Sequence, residues 1–315
     1  MVSSPSAAHE SILNTIMEDL ARILTTIPIP PDIVCCWVCP NTGYWSELIC
    51  AIPDLTILMF SKQLAESPRL SQTIWVMEST FSQSDNNVME KLRCYTRSNP
   101  DLLVAGKIVV KQSRQWSSPG SIKSLVKNLH SSELVTQAEW PGIYGDAAKY
   151  SEVVVDKYSW FSLSSAELHL WICKPGATKI DLDCRDGDSY ALGVCHHWLL
   201  MFHLITISFI FHNQTLYPMV DLDSVDVALR RGLQLTKAAI LALDVPDMDC
   251  SSMQSWTLPT CIINLKGYLS ALCDGAWATS YFSYYDWYKA QQKAQNSSPA
   301  IRSTGARAPR KVNTD

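Results

Sequence analysis

Glu78 stands in the middle of an apolar, strand-like run, Ile74-Trp75-Val76-Met77-Glu78-Ser79-Thr80-Phe81. A carboxylate buried there without a partner costs several kcal/mol, so any fold the chain adopts must give Glu78 a cation, a metal ion or an exposed face. A second acid, Asp54, opens a similar run 24 residues earlier, in Ala51-Ile52-Pro53-Asp54-Leu55-Thr56-Ile57. The segment between them can turn back on itself, which lays the two runs side by side as neighbouring strands.

The flanking sequence supplies the rest of a layered core. Apolar residues at Ile12, Leu13, Ile16, Met17, Leu20, Ile23, Leu24 and Ile27 recur at helical spacing. A helix over Glu10 to Ile27 therefore packs one face inward, and Pro28, Pro30 and Pro31 end it. Ile33 to Val38 reads as a buried strand, Asn41-Thr42-Gly43 as a turn, and Tyr44 to Ala51 as a return strand. Leu55 to Phe60, Thr73 to Thr80 and Leu102 to Lys111 read as further strands. Ser82-Gln83-Ser84-Asp85 offers N-caps to a helix from Asp85 to Arg97 with Val88, Met89, Leu92 and Tyr95 on its apolar face; Asn99-Pro100-Asp101 ends it. The order helix, strands, helix, strand describes an α/β core within residues 1–115.

Residues 116–295 read as a C-terminal α+β extension. A short helix is expected over Ser121 to Leu129. A strand pair is expected at Val153 to Trp160 and Glu167 to Ile172, joined through Ser162 to Ser165, and a helix over Asp223 to Leu243. Residues 296–315 are rich in Ser, Pro, Ala and Arg and read as a disordered basic tail. Its Arg307, Arg310 and Lys311 form either a solvated patch or a weak nuclear-import signal. Trp198 to Phe211 is strongly apolar but short of the roughly 20 residues that span a bilayer, so no membrane partner is expected and a buried strand or helix is the plain reading. Val194 to Gln214 also has the boundaries of a retained intron: valine codons begin with GT, a glutamine codon can end in AG, and its removal joins Gly193 to Thr215.

Composition narrows the class. A net charge of -4 over 315 residues argues against a nonspecific nucleic-acid coat, while Arg93, Arg97, Lys107, Lys111 and Arg114 leave a local phosphate groove open beside a solvated surface. The eleven cysteines are odd in number, many lie in apolar runs, and Met1-Val2-Ser3-Ser4-Pro5 lacks the basic start and apolar core of a signal peptide. Reduced thiols in an intracellular protein, cytoplasmic or nuclear, are expected. Cys36-Trp37-Val38-Cys39 has no second pair at zinc spacing, and His196, His197 and His203 lie in so apolar a stretch that burial is preferred to metal ligation. G-x-S-x-G, P-loop, H-E-x-x-H and G-x-G-x-x-G patterns are absent from the sequence.

Two carboxylates held on adjacent strands suit a hard divalent cation, which takes oxygen ligands from fixed positions. Pro53-Asp54, Glu78-x-Thr80, Ser82-Gln83-Ser84 and Lys91-Leu92-x-x-Tyr95, followed by a strand, resemble the PD-(D/E)XK nuclease superfamily. The resemblance runs from Glu10 to Gln112 and extends to fungal hypothetical proteins of the same layout. It implies a restriction-endonuclease-like core (helix, mixed sheet, helix, strand) that cleaves DNA phosphodiester bonds with Mg²⁺ or Mn²⁺ on Asp54 and Glu78. The superfamily's lysine belongs at position 80, where this chain has Thr80, and a hydroxyl carries no positive charge. Lys91, on the following helix, is the candidate replacement. Gln83 would hold the attacking water or a phosphate, the Tyr95 hydroxyl would support the site, and Glu18 matches an accessory acid. Read without the resemblance, Asp54 is a turn residue, Glu78 lies on an exposed strand face, Lys91 belongs to a solvated helix face and Tyr95 is packing. The lost lysine leaves a second functional class open, a catalytically inactive member that serves as a binding or interaction protein.

Overall fold

The computed structural model describes residues 7–29, 33–41, 52–61, 71–81, 85–119, 129, 133–140, 152–196, 223–243, 250–260, 262 and 264–297. Seven strands form one mixed sheet: β1 (Val34–Pro40), β2 (Leu55–Ser61), β3 (Ser71–Thr80), β4 (Val104–Gln112), β5 (Glu152–Val155), β6 (Tyr158–Ile172) and β7 (Tyr190–His196). The spatial order is β1-β2-β3-β4-β6-β5, with β7 on the other side of β6. All pairings are antiparallel except β3–β4, which is parallel and is bridged by helix α2 (Asp85–Ser98). A parallel pair needs such a crossover, and a helix with an apolar stripe is the usual means of making it.

Strand alternation divides the side chains between two layers. Val76, Ala105 and Trp171 point to the side covered by α2, where Met89, Leu92 and Tyr95 bury their side chains. Trp75, Met77, Val104, Ile108 and Leu170 point to the other side. That side is covered by α1 (Ala7–Leu24), α3 (Asp223–Leu241) and α5 (Leu265–Ser297), with the short α4 (Ser251–Ser255) between the last two. The i, i+4 apolar spacing of α1 places Ile12, Ile16, Leu20 and Ile23 against this core. Thr25 and Thr26 hydroxyls donate to the carbonyls of Arg22 and Ile23, closing the helix end just before Pro28.

Two close approaches fix the helices of that layer. Gly232 brings the α3 backbone down onto the sheet, where an added Cβ would meet Trp75 and Val104 at 2.7 Å; beside it, the Trp75 indole donates to the Thr236 hydroxyl at 3.0 Å. Gly275 of α5 lies against α1, where its Cβ would stand 2.5 Å from the Ala8 Cα, and the Ala8 amide donates to the Thr279 hydroxyl at 2.9 Å.

The early elements of the chain match the expectation from periodicity, and so does α3, expected over Asp223 to Leu243; other later elements differ. The strand pair expected at Val153–Trp160 and Glu167–Ile172 is instead a hairpin turning at Asp156-Lys157, both with positive φ (50° and 63°), followed by a single 15-residue strand. Two consecutive left-handed residues make a tight turn that matches strand twist, so the chain reverses there and Ser162 to Ser165 stay within β6. Strand β1 pairs with β2; the return strand expected over 44–51 and the helix over 121–128 lie outside the described residues. The sheet crosses the boundary placed at 115, because β6 runs along β4 from Gln112 to Val104. Strand β7 includes Val194, Cys195 and His196; the rest of the 194–214 segment and the 298–315 part of the tail lie outside the described residues. Residues 296 and 297, expected to be disordered, complete α5.

Candidate functional site

The site lies where β2 begins and β3 ends. Leu55 pairs with Met77, so Asp54, the residue before β2, stands one step further along, beside Glu78. Glu78 is fully buried. On α2, Lys91 and Tyr95 are four residues apart and share the face turned to the sheet. The Lys91 amine donates to Glu78 Oε2 at 2.7 Å, and the Tyr95 hydroxyl donates to Glu78 Oε1, also at 2.7 Å. Burial requires such partners, and α2 supplies both.

Asp54 is held from the other side. Its Oδ2 accepts from the Ser79 amide at 2.8 Å, and the His9 ring of α1 approaches the same oxygen at 3.4 Å. His9 Nε2 is also 2.8 Å from the Ser79 carbonyl; a carbonyl only accepts, so Nε2 carries the proton. Burial lowers the proton affinity of His9, but its hydrogen bond to Asp54 and the Asp54 charge outweigh that and hold the imidazole above its ordinary range. His9 escapes sequence reasoning because one histidine near a helix start has no motif, and its partner is 70 residues away.

Glu78 is pushed up to about 7, by burial first and then by the neighbouring Asp54 charge, against the opposing pull of Lys91 and Tyr95. Burial together with the Asp54 charge thus outweighs what Lys91 and Tyr95 offset. The Tyr95 phenol is held well above its ordinary range by burial and by Glu78. Removing its hydroxyl in Tyr95→Phe leaves a buried carboxylate oxygen short of a donor. We expect a loss of about 1–3 kcal/mol of stability, read as a lower urea midpoint at pH 8.

Three of the expected site residues, Asp54, Glu78 and Lys91, converge; Gln83 lies outside the described residues. Thr80 is buried. Glu18 is exposed and, nine residues from His9, lies half a turn round α1 from the face that meets the site. The basic residues expected to line a groove are dispersed: Arg93 pairs with Glu90, Lys111 with Glu167, and Arg97 is exposed. Lys107 is buried on the sheet face beneath α2, where it is ion-paired with Asp85.

Among the described residues, no group of three or more His, Cys, Asp or Glu side chains gathers as a metal-binding cluster, and the cysteines are free thiols. The donors at the site are nevertheless of the right kind for a hard cation: two carboxylates, each oxygen able to accept more than one contact, with burial and the Asp54 charge both resisting ionisation of Glu78. Asp54 and Glu78 would hold such an ion. No helix among the described residues is long and apolar enough to cross a membrane. Comparison of the chain with protein-family models, curated proteins and solved structures finds no significant match, so a reading of function rests on the geometry of this site.

Proposed function

We propose that this protein is a metal-dependent nuclease that hydrolyses DNA phosphodiester bonds, with a restriction-endonuclease-like core built on β1–β4, α1 and α2. The observation that carries this reading is the 2.7 Å contact from the Lys91 amine to Glu78, beside Asp54. In this reading a helix-borne lysine takes the part of the strand-borne one that Thr80 replaces. Bound Mg²⁺ or Mn²⁺ would polarise the scissile phosphate and acidify a water. Lys91, 29 % exposed at its side chain, presents positive charge to the developing phosphorane oxygens. Asp54 is braced by the Ser79 amide with its charge acting on Glu78, and Tyr95 fixes the orientation of Glu78.

A second reading, a DNA-binding protein without catalysis, is favoured by one observation: both oxygens of the fully buried Glu78 already accept hydrogen bonds from the protein. Incubation of pure protein with supercoiled plasmid and Mg²⁺ or Mn²⁺ separates the two. Nicking or linearisation that is lost with EDTA and in the Asp54→Ala/Glu78→Ala double variant is the expected result. Cleavage that persists in the double variant would identify a contaminant, and intact plasmid retarded by the protein would favour the second reading.

A further inference from the structure

We propose that Lys107 is a second phosphate-contacting cation of this site, beside Lys91, and that Asp85 is an internal placeholder which a DNA phosphate displaces. The proposal takes the identity of its ligand from the nuclease reading. Strand register carries it. Glu78 of β3 is the Cα partner of Lys107 on β4, and Lys107 is the partner of His169 on β6. Residues in register on neighbouring strands direct their side chains to one face. With Asp54 at the start of β2, an acid, a second acid, an amine and an imidazole stand in line across four strands, about 5 Å apart from strand to strand.

The superfamily's lysine position, occupied here by Thr80, is two residues along β3 from Glu78, roughly 7 Å away. Lys107 is one strand over on the same face, so it is at least as near to Glu78 as the lost lysine would have been. Lys91 is ion-paired with Glu78. Lys107 is committed differently. Only 5 % of it is exposed, yet its amine pairs with Asp85, whose side chain is 63 % exposed at the start of α2. A bond from a sheltered amine to a solvated carboxylate is easily exchanged for another anion, because the carboxylate returns to water at little cost.

The neighbourhood suits a phosphate. Burial and the nearby Lys107 charge push His169 down to about 4, so it is neutral at pH 7; its Nδ1 lies 2.8 Å from the Tyr190 hydroxyl and its Nε2 3.3 Å from Glu167. Lys107 lies 6.0 Å from the centre of the Trp171 ring, and the Arg185 guanidinium lies over both Trp171 (5.1 Å) and Tyr190 (4.6 Å). Two cations thus flank one aromatic wall, on the sheet face that carries Glu78.

The test is fluorescence anisotropy of a labelled DNA duplex in EDTA, over a series of salt concentrations. Lys107→Gln should weaken binding about tenfold and reduce the salt slope by about one. Lys107→Arg should restore both, and Asp85→Asn should tighten binding by removing the competitor. Lys289→Gln, an exposed change on α5 across the sheet, serves as the control. Should Lys107→Gln not fold, the Arg and Asp85→Asn variants decide alone. Unchanged binding in Lys107→Gln, weaker binding in Asp85→Asn, or no DNA binding by the unaltered protein would each overturn the proposal. Plasmid cleavage is scored separately: Lys107-dependent binding without any cleavage sinks the nuclease reading and spares this one, whereas cleavage with Lys107-independent binding does the reverse.

Discussion

Replacing Glu78 by glutamine should make the protein more stable at pH 8 than the unaltered chain, by about 3 kcal/mol relative to their difference at pH 4. The native pKa of about 7 lies above the ordinary value of 4.5, because burial and the Asp54 charge resist ionisation. Below pH 4.5 the carboxyl is protonated in both native and unfolded chains and contributes nothing unfavourable. As pH rises from there to about 7, the unfolded chain loses the proton while the native chain retains it, so stability falls across this window. Glutamine has the same shape and no proton to lose, which flattens the profile. Urea unfolding of both proteins at pH 4, 6 and 8 measures the difference; parallel profiles would mean that Glu78 is ionised at no cost. The same experiment reports on the metal. A cation docking on Asp54 and ionised Glu78 should restore stability at pH 8 in the unaltered protein by RT ln(1 + [Mg²⁺]/Kd) and do nothing for Glu78→Gln. Cleavage should be lost in that variant, since stability and activity draw oppositely on the same buried charge.

Gly275→Ala should destabilise the protein by about 2 kcal/mol, although alanine is the better helix former by roughly 1 kcal/mol. The new Cβ would meet the Ala8 Cα at 2.5 Å and the Ala7 carbonyl oxygen at 2.9 Å. Those are backbone atoms of α1 and cannot rotate away, so α1 and α5 must part and the Ala8–Thr279 hydrogen bond lengthens. Gly187→Ala, where an added Cβ meets nothing within 4 Å, is the control and should change stability by less than about 0.5 kcal/mol. The effect should reach the site, because His9 follows Ala8. Displacing α1 draws the imidazole from Asp54 and Ser79, and its pKa should fall back toward 6.5, as NMR titration of the ring would show. An unchanged urea midpoint together with an unchanged His9 titration would show that the two helices do not depend on this contact.

Local pattern made much of the first hundred residues legible. The 3.6-residue spacing of Ile12, Ile16, Leu20 and Ile23 marks α1, and that of Val88, Leu92 and Tyr95 marks α2, since each helix shows its buried face in its own sequence. The short apolar runs mark β2, β3 and β4 for the same reason. Helix α5 was not legible: aromatic, small and polar residues are mixed along its 33 residues, and its buried groups, among them Tyr284 and Trp287, answer to Trp140 and Trp160 far away in the chain. The length of β6 was hidden by Ser162, Ser164 and Ser165, which resemble a loop until β4 and β7 pair with the strand around them.

The sequence by itself determined that Glu78 must have a partner, because no strand that apolar can bury a lone carboxylate, and it named Lys91 four residues before Tyr95 as a helix face able to provide one. Only the tertiary structure decided the rest of the site. Which strand lies beside β3, and in which register, depends on packing of the whole sheet, and that pairing sets Lys107 opposite Glu78. His9 reaches Ser79 only because α1 is pinned by α5 from the far end of the chain. Side-chain periodicity is a property of neighbours along the backbone, whereas a site made from four strands and two helices is a property of neighbours in space.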